Sequence, residues 1–237
     1  MAPHSHAPAD GSTKEFGGRP QKMRYAELQV TTNFSFLRGA SHGEELVAQA
    51  KALGLEAIAI ADRNTLAGVV RAHVAAKEAG LRLVIGARLD LEDAPSLLCF
   101  PTDRKAYGRL SRLISLGQGR AEKGKCSLFL ADVTAHAEGQ IFVALETCHP
   151  GQVPLREPGP RRTSFETSLL RIKSALQPAP LYLAASHTYR GDDRARIAAL
   201  AAIAERCGTP LVATNDVLYH AAHRRPLAHD CEAPSCE

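Results

Sequence analysis

The chain has 237 residues, of which 45% are hydrophobic, so it can bury a substantial core as one large or two small domains. No apolar run approaches the length of a membrane-spanning helix. The net charge of +4 is compatible with binding to nucleic acid, and equally with an ordinary solvated surface. The six cysteines include no Cys-x-x-Cys pair, which predicts reduced, mostly buried thiols.

The first residues of the chain have a composition unlike the rest. Residues 1–22 are rich in Pro, Gly, Ser and His, and they lack the continuous apolar core of a secretory signal. We therefore predict a disordered tail over residues 1–23 of a cytoplasmic protein.

From there on, predicted strands alternate with predicted helices. Seven strands are indicated, at residues 25–31, 56–61, 81–91, 95–100, 140–146, 181–186 and 210–214. The first helix is predicted to start at a Ser41–Glu44 capping box and to stop at Gly54. Further helices are predicted at residues 66–79, from 107 to the glycines at 117 and 119, and at 131–137, 165–176 and 192–207.

This alternation favours parallel strands joined by crossover helices in an α/β fold. A closed or nearly closed β/α barrel fits better than an open sheet, because no glycine-rich dinucleotide turn follows any strand and the Walker A pattern is absent. Two of the strands end abruptly in polar residues, Asp62-Arg63-Asn64 and Asn215-Asp216. Strand ends of this kind predict a site at the carboxyl end of the barrel.

Several separated segments, in the same order, resemble one known family. Residues 28–35 (LQVTTNFS), 59–64 (AIADRN), 85–89 (IGARL) and 212–219 (VATNDVLY) are similar to the PHP (polymerase and histidinol phosphatase) domain of bacterial C-family DNA polymerases. Residues 36–42 (FLRGASH) and 99–110 (CFPTDRKAYGRL) resemble its error-prone branch, a paralogue of the DNA polymerase III alpha subunit.

The resemblance implies a distorted (β/α)7 barrel over residues 24–220, and it leaves residues 221–237 as an irregular, truncated tail. Active members of the family bind several metal ions with a cluster of His, Asp and Glu, and the metals support phosphoester hydrolysis. In this chain most of those positions carry other residue types. The corresponding residues form a vestigial pocket: Gln29, Thr31, Asp62, Arg63, Arg88, Asp216 and Leu218.

Only Asp62 and Asp216 of this pocket keep the family's ligand type. An arginine remains protonated and cannot serve as a ligand. We therefore expect Arg63 and Arg88 to replace the charge of the metals and to pair with Asp62 and Asp216. On this hypothesis the chain has no catalytic, cofactor-binding or metal-binding residue of its own.

Other candidates have simpler interpretations. His42, His73 and His136 resemble ordinary surface or core histidines, whereas His149 and His187 follow strand ends, where a rebuilt metal site would lie. A zinc site from His229, Cys231 and Cys236 has poor spacing, and Ser186-His187 lacks a nucleophile elbow. A solvated helix face explains one basic cluster more simply than phosphate contacts do: Arg104, Lys105, Arg109 and Arg112.

The family's polymerase chemistry belongs to a later palm domain, for which magnesium is the expected cofactor. Nothing after Asp216 is long enough to supply that domain, so the chain alone is expected not to synthesise DNA. The leading hypothesis is a non-catalytic PHP module that supports an error-prone polymerase in damage-induced translesion synthesis and repair. Its expected partners are the remainder of that polymerase, and less directly DNA and other mutagenesis proteins. The alternatives are an independent metal-dependent phosphoesterase or exonuclease, and a remnant without function.

Overall fold

A computed structural model describes residues 24–146, 160–189 and 191–230 of the chain. Seven strands form one sheet in chain order: β1 (Ala26–Val30), β2 (Ala57–Arg63), β3 (Arg82–Leu89), β4 (Leu97–Pro101), β5 (Gln140–Ala144), β6 (Leu181–Ser186) and β7 (Leu211–Thr214). The helices are α1 (Gly43–Ala52), α2 (Val69–Ala79), α3 (Arg104–Arg120), α4 (Leu130–Ala135), α5 (Pro160–Leu176), α6 (Asp193–Cys207) and α7 (Arg225–Asp230).

The sheet curls into a nearly closed barrel, as predicted. Beyond the end of β7, Val217 forms a parallel bridge with Val30 of β1. The Val217 N–H donates to the Gln29 carbonyl at 2.8 Å, and its own carbonyl accepts from the Thr31 N–H at 2.9 Å. These bonds join the two edges of the sheet and bring the ends of β1 and β7 together.

The expectation of parallel strands throughout is wrong for β4, which runs antiparallel to both β3 and β5. Only residues 90–96 connect β3 to β4, and a parallel connection requires a crossover of a dozen or more residues. All other neighbouring strands pair in parallel.

Side chains along β2 alternate between two environments. Ile58 and Ile60 pack with buried residues of α1 and α2. Ala59 and Ala61 belong to a second cluster, whose other members come from strands or from the residues directly after them. The larger side chains therefore face the helices and the small ones face the barrel interior, as the two-residue repeat of a strand requires.

Two predicted helix ends differ from the structure. Helix α1 begins one residue later than predicted, with the His42 N–H donating to Glu45 Oε2 at 2.9 Å. The Ser41 hydroxyl is instead bonded to His220, from whose backbone N–H it accepts at 3.0 Å and whose Nδ1 lies 2.8 Å away. Helix α3 continues past Gly117, where a Cβ would lie 2.6 Å from both Cys126 Sγ and Leu128. This glycine permits close packing and does not end the helix.

The carboxyl-terminal segment is not irregular over the residues that the structure describes. Ala222–Arg224 form a 3₁₀ turn, which is followed by α7. Arg224 donates to Glu45 Oε1 at 2.6 Å and so ties this segment to α1. The predicted tail at 1–23, and residues 231–237, lie outside the described residues.

The structure also shows the state of the cysteines and the length of the apolar helices. Cys99 and Cys207 are buried free thiols and Cys126 is half-buried, while the other three cysteines lie outside the described residues. Within the described part of the chain, no helix is both long enough and apolar enough to cross a membrane.

Candidate functional site at the carboxyl end of the barrel

The join between β1 and β7 brings Gln29 and Asp216 into direct contact. Gln29 Nε2 donates to Asp216 Oδ1 at 2.6 Å, and Gln29 Oε1 accepts from Thr214 Oγ1 at 2.9 Å. Asp216 has a positive φ of 49°, a conformation that Asp tolerates better than most residues. The Gln29 amide of β1 therefore satisfies two polar side chains at the end of β7.

Two other positions of the predicted pocket make backbone contacts here. Thr31 is buried and donates its N–H to Val217, while the Leu218 carbonyl accepts from the Ala40 N–H at 2.8 Å. These contacts hold the loop after β1 against the segment after β7.

Asp62, at the end of β2, is 1% exposed and is surrounded by neutral donors. Its Oδ1 accepts from the Thr32 N–H at 2.8 Å and from the Ser35 hydroxyl at 2.7 Å, and its Oδ2 accepts from the Thr32 hydroxyl at 2.8 Å. Gly68 leaves the space for this arrangement, since a Cβ there would lie 2.4 Å from Asp62 Oδ2. Burial raises the pKa of Asp62, and the three hydrogen bonds oppose that shift.

Arg63 and Arg88, which pair in register across β2 and β3, share one carboxylate. Arg63 Nη1 lies 3.1 Å from Asp90 Oδ2, and Arg88 Nε lies 2.9 Å from Asp90 Oδ1. The Ser96 hydroxyl also donates to Asp90 Oδ1, at 2.7 Å. Despite its burial, Asp90 has a lowered pKa because the charges of Arg88 and Arg63 favour the ionised form.

The predicted pairing of the two arginines is therefore wrong for Asp62. Their ion pairs are with Asp90, while Asp216 accepts from Gln29 and acts on Arg63 only through its charge. Successive side chains of a strand point to opposite faces. Asp62 continues the helix-facing series of Ile58 and Ile60, so it cannot share a face with Arg63. The arginines lie on the interior side and contact Asp90 in the turn between β3 and β4.

Sequence reasoning missed Asp90, Thr32, Ser35 and Glu27. Asp90 stands two residues after Arg88, the spacing that returns a side chain to the same face of a strand, and this signal was available. Glu27 is 3% exposed and accepts from the Tyr25 hydroxyl at 2.7 Å and from the Gln29 N–H at 2.9 Å. Burial raises the pKa of the Glu27 carboxyl, against the effect of its hydrogen bonds.

The remaining candidates do not converge on this site. His187 is exposed, with its Nδ1 3.9 Å from Asp193 Oδ2, and the Ser186 carbonyl accepts from Arg196. Among the described residues, no group of three or more His, Cys, Asp or Glu side chains is arranged to hold a metal ion. His149, Cys231 and Cys236 lie outside those residues, as does the side chain of His229.

The other histidines and the basic cluster have local roles or face solvent. His136 Nδ1 lies 2.9 Å from the Asp132 carbonyl, and His42 and His73 are exposed. In the basic cluster, Arg109 contacts the carbonyl and the carboxylate of Glu138, while its three companions lie elsewhere on the surface of α3.

These features define a seven-stranded β/α barrel with polar side chains gathered at the carboxyl ends of its strands. The chain belongs to the PHP domain family, which matches it over residues 27–186. It is 54% identical over 204 residues to an error-prone DNA polymerase of Caulobacter vibrioides and 48% identical to error-prone DNA polymerase 1 of Agrobacterium fabrum. Each alignment covers 86% of this chain and 18% of the relative, so the chain spans about a fifth of the length of these polymerases.

Two solved structures share the fold. One is a putative metal-dependent phosphoesterase from Bifidobacterium adolescentis, with a TM-score of 0.61 and 19% identity over 84% of this chain and 88% of that one. The other is an amidohydrolase from Chromobacterium violaceum with bound sulfate and no metal, with a TM-score of 0.56 and 17% identity over 82% and 87% of the two chains. At these identities the likeness establishes the fold alone.

Proposed function

We propose that this chain is the PHP module of an error-prone DNA polymerase, that it works without bound metal, and that it supports the polymerase core during translesion synthesis. The contact of Arg63 and Arg88 with Asp90 is the observation that carries the proposal. Two fixed positive charges stand where active members of the family hold cations. Like charge opposes the entry of a divalent ion.

The remaining ligand-type residues also fit a metal poorly. Both oxygens of Asp62 already accept hydrogen bonds on the helix side of the barrel. Asp216 is held by the Gln29 amide, and the other family positions carry a hydroxyl or an aliphatic side chain. Borderline and hard cations prefer imidazole, thiolate or several convergent oxygens, and this donor set offers none of these arrangements.

On this proposal the module works through its partner. The remainder of the polymerase would carry the palm domain and its magnesium, and this barrel would hold that region in position. The strong similarity to polymerases several times longer supports such a partner. DNA and other mutagenesis proteins would be met through the assembled enzyme, in the cytoplasm.

Metal content and thermal stability test the proposal directly. A metal ion present at a hundred times its Kd would stabilise the folded chain by about 2.7 kcal/mol. For a chain of this size that corresponds to a rise in Tm of roughly 5–10 °C. With Mn²⁺, Mg²⁺ or Zn²⁺ we expect no such rise, no stoichiometric metal by mass spectrometry, and no hydrolysis of bis(p-nitrophenyl) phosphate.

The Asp62→Asn variant is the matched control. Stoichiometric metal in the natural chain that disappears in this variant would refute the proposal and favour a metal-dependent phosphoesterase.

A further inference from the structure

A groove of about 740 Å³ lies beside Arg63 at the carboxyl end of the barrel. Three segments of the chain form its walls: residues 34–38 after β1, residues 63–65 at the end of β2, and residues 118–126 around the end of α3. We call it the Arg63 groove. It shares Arg63 with the Asp90 network, whereas Arg88 and Asp90 do not line it.

The Arg63 groove carries an excess of positive charge. Its charged lining residues, among those that the structure describes, are Arg38, Arg63, Lys123, Lys125 and Glu122. Lys125 and Glu122 pair at 2.9 Å, but both side chains are more than 70% exposed, so the pair is weak and leaves most of the field intact. Burial and then the neighbouring charge of Arg88 lower the pKa of Arg63, and Arg38 adds to this effect while Asp90 and Asp216 oppose it. An anion in the groove would relieve that repulsion.

Exposed apolar side chains lie at the rim of the same groove. Phe36 is 84% exposed, Leu37 53% and Phe34 38%. Leu37 has a φ of 59°, a left-handed conformation that is unfavourable for a leucine and that shapes the loop presenting Phe36. Positive grooves bordered by aromatic side chains are characteristic of surfaces that bind single-stranded nucleic acid, where phosphates meet the charges and bases stack on the rings.

We propose that the Arg63 groove binds single-stranded nucleic acid, with Lys123 and Lys125 contacting phosphates and Phe36 stacking on a base. Binding of this kind needs no metal and no sequence preference. Because this binding depends only on residues of this chain, it can be tested independently of the proposed role in the polymerase.

Fluorescence anisotropy of the full chain with a labelled oligothymidylate of roughly a dozen nucleotides tests the proposal over a salt series. The Lys123→Gln/Lys125→Gln variant should bind more weakly and should reduce the salt slope by about 0.7 for each phosphate that no longer meets a lysine. Phe36→Ala should lower affinity by a factor of about 5 to 150 because the stacking is lost, and should leave the salt slope unchanged.

A matched control removes the same charge at the other end of the barrel. Lys77 and Arg82 are exposed where α2 ends and β3 begins, so Lys77→Gln/Arg82→Gln should leave affinity and salt slope unchanged. Circular dichroism checks that each variant is folded, which we expect because the substituted positions are exposed.

Three results would overturn the proposal. The first is absence of oligonucleotide binding by the folded chain at low salt. The second is a loss of binding on substituting Arg104 and Lys105 of α3 that equals or exceeds the loss from the groove variants. The third is a groove variant that fails to associate with the remainder of the polymerase but still binds the oligonucleotide normally, since the groove would then be a protein interface.

Discussion

Two carboxylates at adjoining strand ends, Asp62 buried and Asp90 partly exposed, are stabilised in different ways. Asp62 is held by a backbone amide and two hydroxyls, whereas Asp90 is held by two guanidinium groups and one hydroxyl. The shift in pKa follows the surroundings, because burial dominates at Asp62 and raises its pKa, while positive charge lowers the pKa of Asp90. The two arginines therefore contact Asp90, which the sequence analysis did not single out, and do not contact Asp62, which it did.

The difference also separates two functions of the strand ends. The Asp62 contacts join the loop after β1 to β2 and close the helix side of the barrel. The Asp90 contacts fix two cations on the interior side, next to the Arg63 groove. Substitutions at the two carboxylates should therefore affect stability by different amounts and with different dependence on pH.

The largest effect is expected from Asp90→Asn. The change leaves Arg63 and Arg88 side by side with a neutral partner, and unpaired buried charge is costly. Because the Asp90 side chain is 31% exposed, solvent moderates the loss, which we expect to be about 2–4 kcal/mol in urea unfolding at neutral pH.

Glu92→Gln provides the control for Asp90→Asn. Glu92 is an exposed carboxylate two residues further along the same turn, so its neutralisation should change stability by less than about 0.5 kcal/mol. Equal effects of the two substitutions would mean that the arginines do not depend on Asp90.

A smaller loss is expected from Gly68→Ala, on the Asp62 side. The added Cβ would lie 2.4 Å from Asp62 Oδ2 and 2.7 Å from Thr32 Oγ1, so one of these groups must move and its hydrogen bond must lengthen. We expect about 1–3 kcal/mol of destabilisation, the usual cost of overpacking. The measurement is again urea unfolding.

Gly108→Ala is the control for Gly68→Ala, because it makes the same substitution where there is room for the added methyl group. No atom lies within 4 Å of a Cβ built there, in the interior of α3, and alanine favours a helix over glycine by up to about 1 kcal/mol. A Gly68→Ala variant as stable as the natural chain would show that the Asp62 pocket is looser than the structure indicates.

The sequence allows the β2 strand and its polar end to be predicted, because an apolar run that stops at Asp62-Arg63 has few other interpretations. The alternation of Ile and Ala along residues 57–61 also indicates which side chains of β2 share a face. The contact between Arg63 and Asp90 joins residues 27 positions apart, and no local pattern encodes it. Its prediction requires the register of β2 on β3 and the short hairpin to β4, which only the folded chain supplies.

The pH dependence of two variants gives the finest test of the comparison. Asp62 has a raised folded-state pKa, so its contribution to stability is present in acid and is lost as pH rises through that pKa. The cost of Asp62→Asn, at most about 1 kcal/mol for an uncharged hydrogen-bonding replacement, should therefore shrink from about pH 4 to pH 7. Asp90 has a lowered pKa, so its contribution is lost as pH falls through the folded-state value, and the cost of Asp90→Asn should shrink in acid. Urea unfolding should give slopes of opposite sign for the two variants, above about pH 4 for Asp62→Asn and below about pH 4 for Asp90→Asn. Slopes of the same sign would mean that Asp62 is also stabilised by positive charge, and the contrast between neutral donors and arginines would fail.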